Sequence, residues 1–163
     1  NREVATEFKN AIVSDSNWGI VATAIQQSEQ LLKATLDGKE DVVAAAIDAI
    51  HHDATSVLQY NDENSLACVL TLAYYTSQKD YLRVRELPTG KGFADIVLIP
   101  RPTCNKPAVV LELKYDQSAD TAIAQIHDKR YAGMLKDFAG EVVLVGINYD
   151  KATKKHECRI ERV

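Results

Sequence analysis

The order of apolar patterns predicts an α/β fold in which a mixed central sheet, flanked by helices, follows an N-terminal helical region. Up to about Lys79 apolar residues recur every three or four positions, and from Tyr81 onward they alternate or run continuously. Two nearly all-apolar runs, 108–115 and 141–148, are separated by a helix-patterned segment, so they should lie parallel and be joined by a crossover. With 163 residues and 46% apolar content the chain can bury a full core. The simplest organisation is one structural domain, in which residues 1–60 form a helical extension packed on a core of residues 61–163.

Taken in order, Val4, Phe8 and Ile12 have helical spacing and predict a short helix over about 2–14. Ser14-Asp15-Ser16-Asn17 breaks it and offers an N-cap. From Trp18 to about Leu36, Ile20, Val21, Ala24, Ile25, Ser28, Leu31, Leu32 and Leu36 form one stripe, which Asp37-Gly38 terminates. A third helix is expected from about Lys39 to Gln59 through Val43, Ala46, Ile47, Ile50, Ala54 and Val57. A fourth, from about Asp62 to Lys79, is apolar around much of its surface and should be buried. The period then changes to two. Tyr81 to Leu87 is a strand, Pro88 to Gly92 a turn and Phe93 to Pro100 a second strand, together a hairpin. Arg101 to Pro107 is a loop, and 108–115 is a strand suited to the centre of a sheet. Ser118 or Asp120 caps a crossover helix running to about Lys136. Glu141 to Asn148 is a buried strand, and His156 to Val163 a last edge strand.

The net charge of −4 argues weakly against a general nucleic-acid binder, but the halves differ. Residues 1–80 carry 5 Lys and Arg against 12 Asp and Glu, a net of −7; residues 81–163 carry 14 against 11, a net of +3. The positive excess permits a phosphate-binding face in the second half, although a solvated surface of mixed charge explains it equally well. Three widely spaced cysteines, Cys68, Cys104 and Cys158, suit a reducing cytoplasm better than a disulfide framework or a zinc site. Cys68 falls in an apolar helical pattern and reads as core packing. No run is long enough to cross a bilayer, and no charged-then-apolar leader is evident.

Charges inside two apolar runs are the chemistry-bearing feature. Asp95 adjoins Ile96-Val97-Leu98-Ile99, and Glu112 and Lys114 interrupt Val109-Val110-Leu111 and Leu113. Alternation places Glu112 and Lys114 on one strand face, about 6–7 Å apart, with Leu111 and Leu113 on the other. A carboxylate from the preceding strand can converge on them. Two carboxylates and an ammonium at one cleft can hold a divalent cation, polarise a phosphate and orient a water. The duller explanations are a turn cap for Asp95 and an exposed ion pair for Glu112 and Lys114. They fit less well because both stretches otherwise look buried, where a lone charge is costly. None of the four histidines has metal-ligand spacing: His51-His52 are adjacent, and His127 and His156 are isolated.

With Asp95 near a strand end and Glu112-Leu113-Lys114 on the next, the chain resembles the PD-(D/E)XK nuclease superfamily. More narrowly, it resembles the nuclease-like domain at the C-terminus of bacterial proteins that begin with a predicted AAA-ATPase-like domain. The residues carrying that closer likeness are Asn1-Arg2-Glu3-Val4, Glu63-Asn64-Ser65, Gly90-Lys91-Gly92-Phe93-Ala94-Asp95, the Glu-x-Lys strand, and Gln125-Ile126 with Lys129-Arg130-Tyr131. The chain departs from the pattern at Phe93, where a basic or small residue is common, and at Ser65 and Leu66, where an aromatic pair is common.

The resemblance implies a restriction-endonuclease-like core and metal-dependent phosphodiester hydrolysis of nucleic acid, with DNA favoured. It implies Mg²⁺ or Mn²⁺ held by Asp95, Glu112 and the Leu113 backbone carbonyl, with Lys114 acting on the attacking water. Glu63 is expected to approach the metal from its helix, although the helix dipole alone would favour an acid there. Gln125 is expected to act beside the lysine, and Lys91, Lys129, Arg130 and Tyr131 to contact phosphate. The same likeness implies a cytoplasmic protein with an AAA-ATPase-like domain in the full-length chain, and a homodimer where both strands are cut. The competing class is a catalytically inactive module that uses the fold to bind protein or nucleic acid.

Overall fold

The computed structural model describes residues 18–58, 70–71, 73–89, 92–131, 133, 135 and 140–163. The helix expected over 2–14, together with Glu63, Cys68 and Lys91, lies outside the described residues.

Helix α1 spans Trp18–Leu36 and α2 spans Glu40–Leu58, both within a residue of the sequence expectation. They are joined by a Schellman turn. The Lys39 N–H donates to the Ala34 carbonyl at 2.9 Å and the Gly38 N–H to Thr35 at 3.2 Å, with Gly38 at φ +72°. This left-handed position is one that only glycine enters without a steric penalty. Glu40 and Asp41 then sit at the positive end of α2.

The predicted fourth helix does not continue to Lys79. After helical residues at 70, 71 and 73 the chain tightens into a 3₁₀ turn over Tyr75–Lys79. The sequence Tyr74-Tyr75-Thr76-Ser77 explains the change. The Ser77 hydroxyl donates to the Tyr74 carbonyl at 2.6 Å and the Ser77 N–H takes the same carbonyl at 3.1 Å, so a three-residue closure replaces the α-helical one. Buried hydroxyls tie this turn to α1: Thr35 bonds the Tyr74 hydroxyl at 2.8 Å and Ser28 donates to Thr76 at 2.8 Å.

Five strands follow: β1 (Tyr81–Thr89), β2 (Gly92–Pro100), β3 (Ala108–Tyr115), β4 (Val142–Asp150) and β5 (Lys155–Arg162), in that spatial order. The β1–β2, β2–β3 and β4–β5 pairs are antiparallel, and β3–β4 is parallel as the crossover requires. The β1–β2 hairpin is tighter than expected. Thr89 pairs with Gly92, so Pro88 lies inside a strand rather than in the turn. An edge strand tolerates that proline because its outward N–H is not needed.

The sheet separates two apolar layers. Val109, Leu111 and Leu113 of β3, with Ile96, Leu98, Val143, Val145 and Ile147, join Leu31, Val43, Ile47 and Ile50 of α1 and α2. The alternate residues Val97, Ala108, Val110, Val142 and Leu144 meet Ile123 and Ile126 of the crossover helix α3 (Ala119–Asp128), together with Tyr131 and Leu135. Of the two expected caps for α3, Ser118 is used, its hydroxyl accepting from the Thr121 N–H at 3.0 Å. The helix stops well before Lys136. Lys129 is its C-cap and Arg130 turns left-handed at φ 56°, after which residues 131, 133 and 135 are helical again. No helix among the described residues is long and apolar enough to cross a membrane.

Candidate active site

Glu112 lies on the α3 face of β3, the middle strand of the sheet, where every residue from Ala108 to Leu113 is buried. A carboxylate is tolerable there only if its charge is met. Lys114, two positions along the same face, brings its ammonium to 3.6 Å from Oε1. From α3, the Lys129 ammonium donates to the same oxygen at 3.1 Å, and the Gln125 amide also donates to it. The Glu112 side chain is 3% exposed, Lys129 4% and Lys114 15%, so Lys114 is the most accessible of the three.

The geometry of α3 makes these contacts possible. Gln125 and Lys129 are four residues apart and share a helix face. Gly146 of β4, which pairs with Glu112 in the sheet, lets the helix approach: a Cβ there would lie 2.5 Å from the Ala119 carbonyl oxygen and 2.9 Å from Ile123 Cγ1. Three odd-numbered residues of β5 fix the helix from the side. Glu157 accepts from the Ala119 N–H at 3.1 Å, Arg159 donates to Asp120 at 3.0 Å, and His127 meets Glu161 at 2.7 Å.

Asp95 is placed by its backbone; its side chain lies outside the described residues. Ile96 pairs with Leu111, so Asp95 and Glu112 are each one residue beyond that pair, at the same end of the two strands. The described β2–β3 ladder stops there, whereas β3 remains paired with β4 to Tyr115. Leu113 therefore follows Glu112 past the last described β2 pair, and its main-chain oxygen is the next hard donor along the strand. No group of three or more His, Cys, Asp or Glu that could hold a metal occurs among the described residues. Glu112 and a main-chain oxygen are ligand types that suit a hard divalent cation.

The remaining expected residues divide. Gln125 and Lys129 are brought to Glu112. Arg130 is exposed beside them, and Tyr131 is fully buried in the α3-side apolar layer. The direct pairing of Lys129 with the carboxylate is the feature that sequence reasoning missed. Its spacing of four from Gln125 was the available signal.

Two of the histidines, which showed no site pattern in the sequence, meet on the opposite face. His156 bonds Asp48 through both Nδ1 (2.7 Å) and its main-chain N–H (2.8 Å). The ring of His51 meets Tyr149 edge-on at 4.8 Å and His156 at 5.3 Å. Burial holds the His156 imidazole below the usual histidine range, against the opposing pull of Asp48, and burial lowers His51 in the same direction. Burial likewise pushes the Cys158 thiol up to about 12, so this core cysteine is an inert packing group.

No curated protein matches the chain closely enough to serve as a relative. A family model for the PD-(D/E)XK nuclease superfamily matches residues 61–158, a span that holds the Glu-x-Lys strand, its hairpin partner and the crossover helix. The mixed five-stranded α/β sheet is consistent with the restriction-endonuclease-like fold, and members of the superfamily commonly use divalent metals. By its family match and its sheet topology, the chain belongs to the PD-(D/E)XK nuclease superfamily.

Proposed function

We propose that this chain hydrolyses phosphodiester bonds of nucleic acid, DNA in the first instance, with Mg²⁺ or Mn²⁺. The observation that carries the reading is Glu112: a carboxylate buried in the centre of the sheet, met by two lysines, where the described β2–β3 ladder ends. Position 95 is in phase with Val97, which belongs to the Glu112-side layer, so Asp95 is the natural second carboxylate. Asp95, Glu112 and the Leu113 carbonyl would hold the cation, and Glu63 would supply a further carboxylate. The cation would supply Lewis acidity toward the scissile phosphate and its attacking water.

The chain's own groups do the rest. Lys114, the most accessible of the three charged groups, orients the attacking water and stabilises charge growing on phosphorus. Gln125 holds the Glu112 carboxylate in place. Arg130 is exposed at the end of α3 and, with Lys91, is assigned to the phosphate backbone; Lys129 and Tyr131 support that edge from inside. Many other cations of the basic half are engaged elsewhere. Lys106 pairs with Asp80 at 2.5 Å, Arg101 donates to the Gln78 carbonyl at 3.2 Å, and Arg162 pairs with Glu141 at 2.9 Å. The substrate face is therefore narrower than the net charge suggests. In the full-length protein we place the domain beside an AAA-ATPase-like domain in the cytoplasm, acting as a homodimer where both strands are cut.

The test is cleavage of single- and double-stranded DNA and RNA in Mg²⁺ or Mn²⁺ by the wild type, Asp95→Ala and Glu112→Gln. Both variants should lose activity, and Lys114→Ala should be slower while still binding metal. Cleavage undiminished in Asp95→Ala would remove the proposal. No cleavage and no rise in Tm with Mn²⁺ would instead favour a non-catalytic binding module.

A further inference from the structure

The Glu112 carboxylate is held by two ammonium groups from different elements, and both address one atom. Lys114 comes from its own strand and stands 3.6 Å from Oε1, while Lys129 comes from the end of α3 and lies closer, at 3.1 Å. Lys129 is the more deeply enclosed of the two, and its ammonium is covered along with the carboxylate. Beyond it Arg130 turns left-handed and breaks the helix, so Lys129 caps the end of α3 beside an exposed residue.

A divalent cation on Glu112 would bring two positive charges to the carboxylate that Lys129 already holds. Like charges in a water-poor site repel far more strongly than in solution, because the effective dielectric constant is lower and dissolved salt screens them less. The ammonium and the metal therefore compete for Glu112. We infer that Lys129 is a latch: it neutralises Glu112 when no cation is bound and must withdraw for the cation to enter, so it sets the affinity of the site for divalent metal. Lys129 is thus a positioning residue acting through Glu112. The inference rests on the nuclease reading above and adds a control point to it.

A purely structural lysine and a latch differ in what its removal does. A structural ion pair, once cut, leaves metal affinity unchanged or lowers it through loss of Glu112 orientation. A latch, once cut, raises that affinity. The experiment is calorimetric titration of the intact chain with Mn²⁺. Lys129→Met, which keeps length and removes charge, should bind about tenfold more tightly, within the usual range of coupling between two sites. Lys129→Arg, which keeps the charge, should show no tightening. Because Lys129→Met removes a buried charge and could fold poorly, a second measurement uses the wild type. Brief acylation with an amine-directed reagent, read by mass spectrometry, should spare Lys129 without metal and modify it when Mn²⁺ is added. Unchanged or weaker Mn²⁺ binding in Lys129→Met, or equal Lys129 labelling with and without Mn²⁺, overturns the latch and leaves the nuclease reading standing. Absence of Mn²⁺ binding in both proteins overturns the two together.

Discussion

Glu112 and its two lysines form a buried charge cluster in which removing either sign exposes the other. Glu112→Ala would leave two ammoniums facing a cavity, a loss of about 3–5 kcal/mol for one partner of a buried pair. Glu112→Gln keeps the shape and an acceptor oxygen, so it should unfold at distinctly higher urea than Glu112→Ala; equal midpoints would refute this account of the cluster. The glutamine variant is for that reason the better activity control. On the opposite face, burial lowers the pKa of His156, so the unfolded chain takes up the proton more readily than the folded one. Its contribution is full above the ordinary histidine value, about 6.5, and is lost as pH falls through that value toward the lowered one. Tm should accordingly drop between pH 7.5 and 5.5, and drop less in His156→Gln, with His51 supplying the remainder; parallel curves for the two proteins would contradict it. The pairing of Glu112 with Lys114 was legible because alternation along one strand is local. The contacts of Lys129 with Glu112 and of His156 with Asp48 were not, since they join residues 17 and 108 positions apart and depend on how elements pack.

Helix α3 is the element on which the site depends, and Gly146 sets its distance from the sheet. An added Cβ would meet the Ala119 carbonyl oxygen at 2.5 Å, a backbone atom that cannot rotate away. Gly146→Ala should therefore lift the start of α3, cost about 1–3 kcal/mol of stability and reduce cleavage by moving Gln125 and Lys129 relative to Glu112. Thermal unfolding and a cleavage assay on the same sample check it, and wild-type values in both would show that the helix is not held by this approach. The glycine's role could not be read from the chain, where it sits in the apolar run Val142-Val143-Leu144-Val145-Gly146-Ile147 without a turn signal. What could be read were elements whose pattern is long and whose caps are explicit. The Leu36-Asp37-Gly38 stop, the strand 108–115 and the Ser118 cap all appear as expected. The fourth helix and the crossover helix ended early because Ser77 and Arg130 redirect the backbone locally while the apolar spacing continues past them.

At the scale of the whole molecule, the family match begins at residue 61 but the core begins earlier. Leu31, Val43, Ile47 and Ile50 cover the sheet face formed by Val109, Leu111, Val143 and Val145, all buried in one cluster. Helix α2 also closes the β5 edge. The main-chain N–H groups of His156 and Ile160 donate to Asp48 and Glu40, each at 2.8 Å, so the outward side of that strand is capped by carboxylates. An uncovered strand edge is a template for pairing with another chain. Arg162 adds a contact to the Leu36 carbonyl at the end of α1. A fragment of residues 61–163 would thus expose both an apolar sheet face and an unpaired edge. It should bind a hydrophobic dye, unfold without a sharp transition and self-associate, while the full chain unfolds cooperatively. A monomeric fragment with a cooperative transition would mean that the N-terminal helices decorate an independent core. The expected aggregation would mean that the nuclease-like segment has no stable fold apart from the two helices that precede it, and that any cleavage by this chain requires residues well outside the matched span.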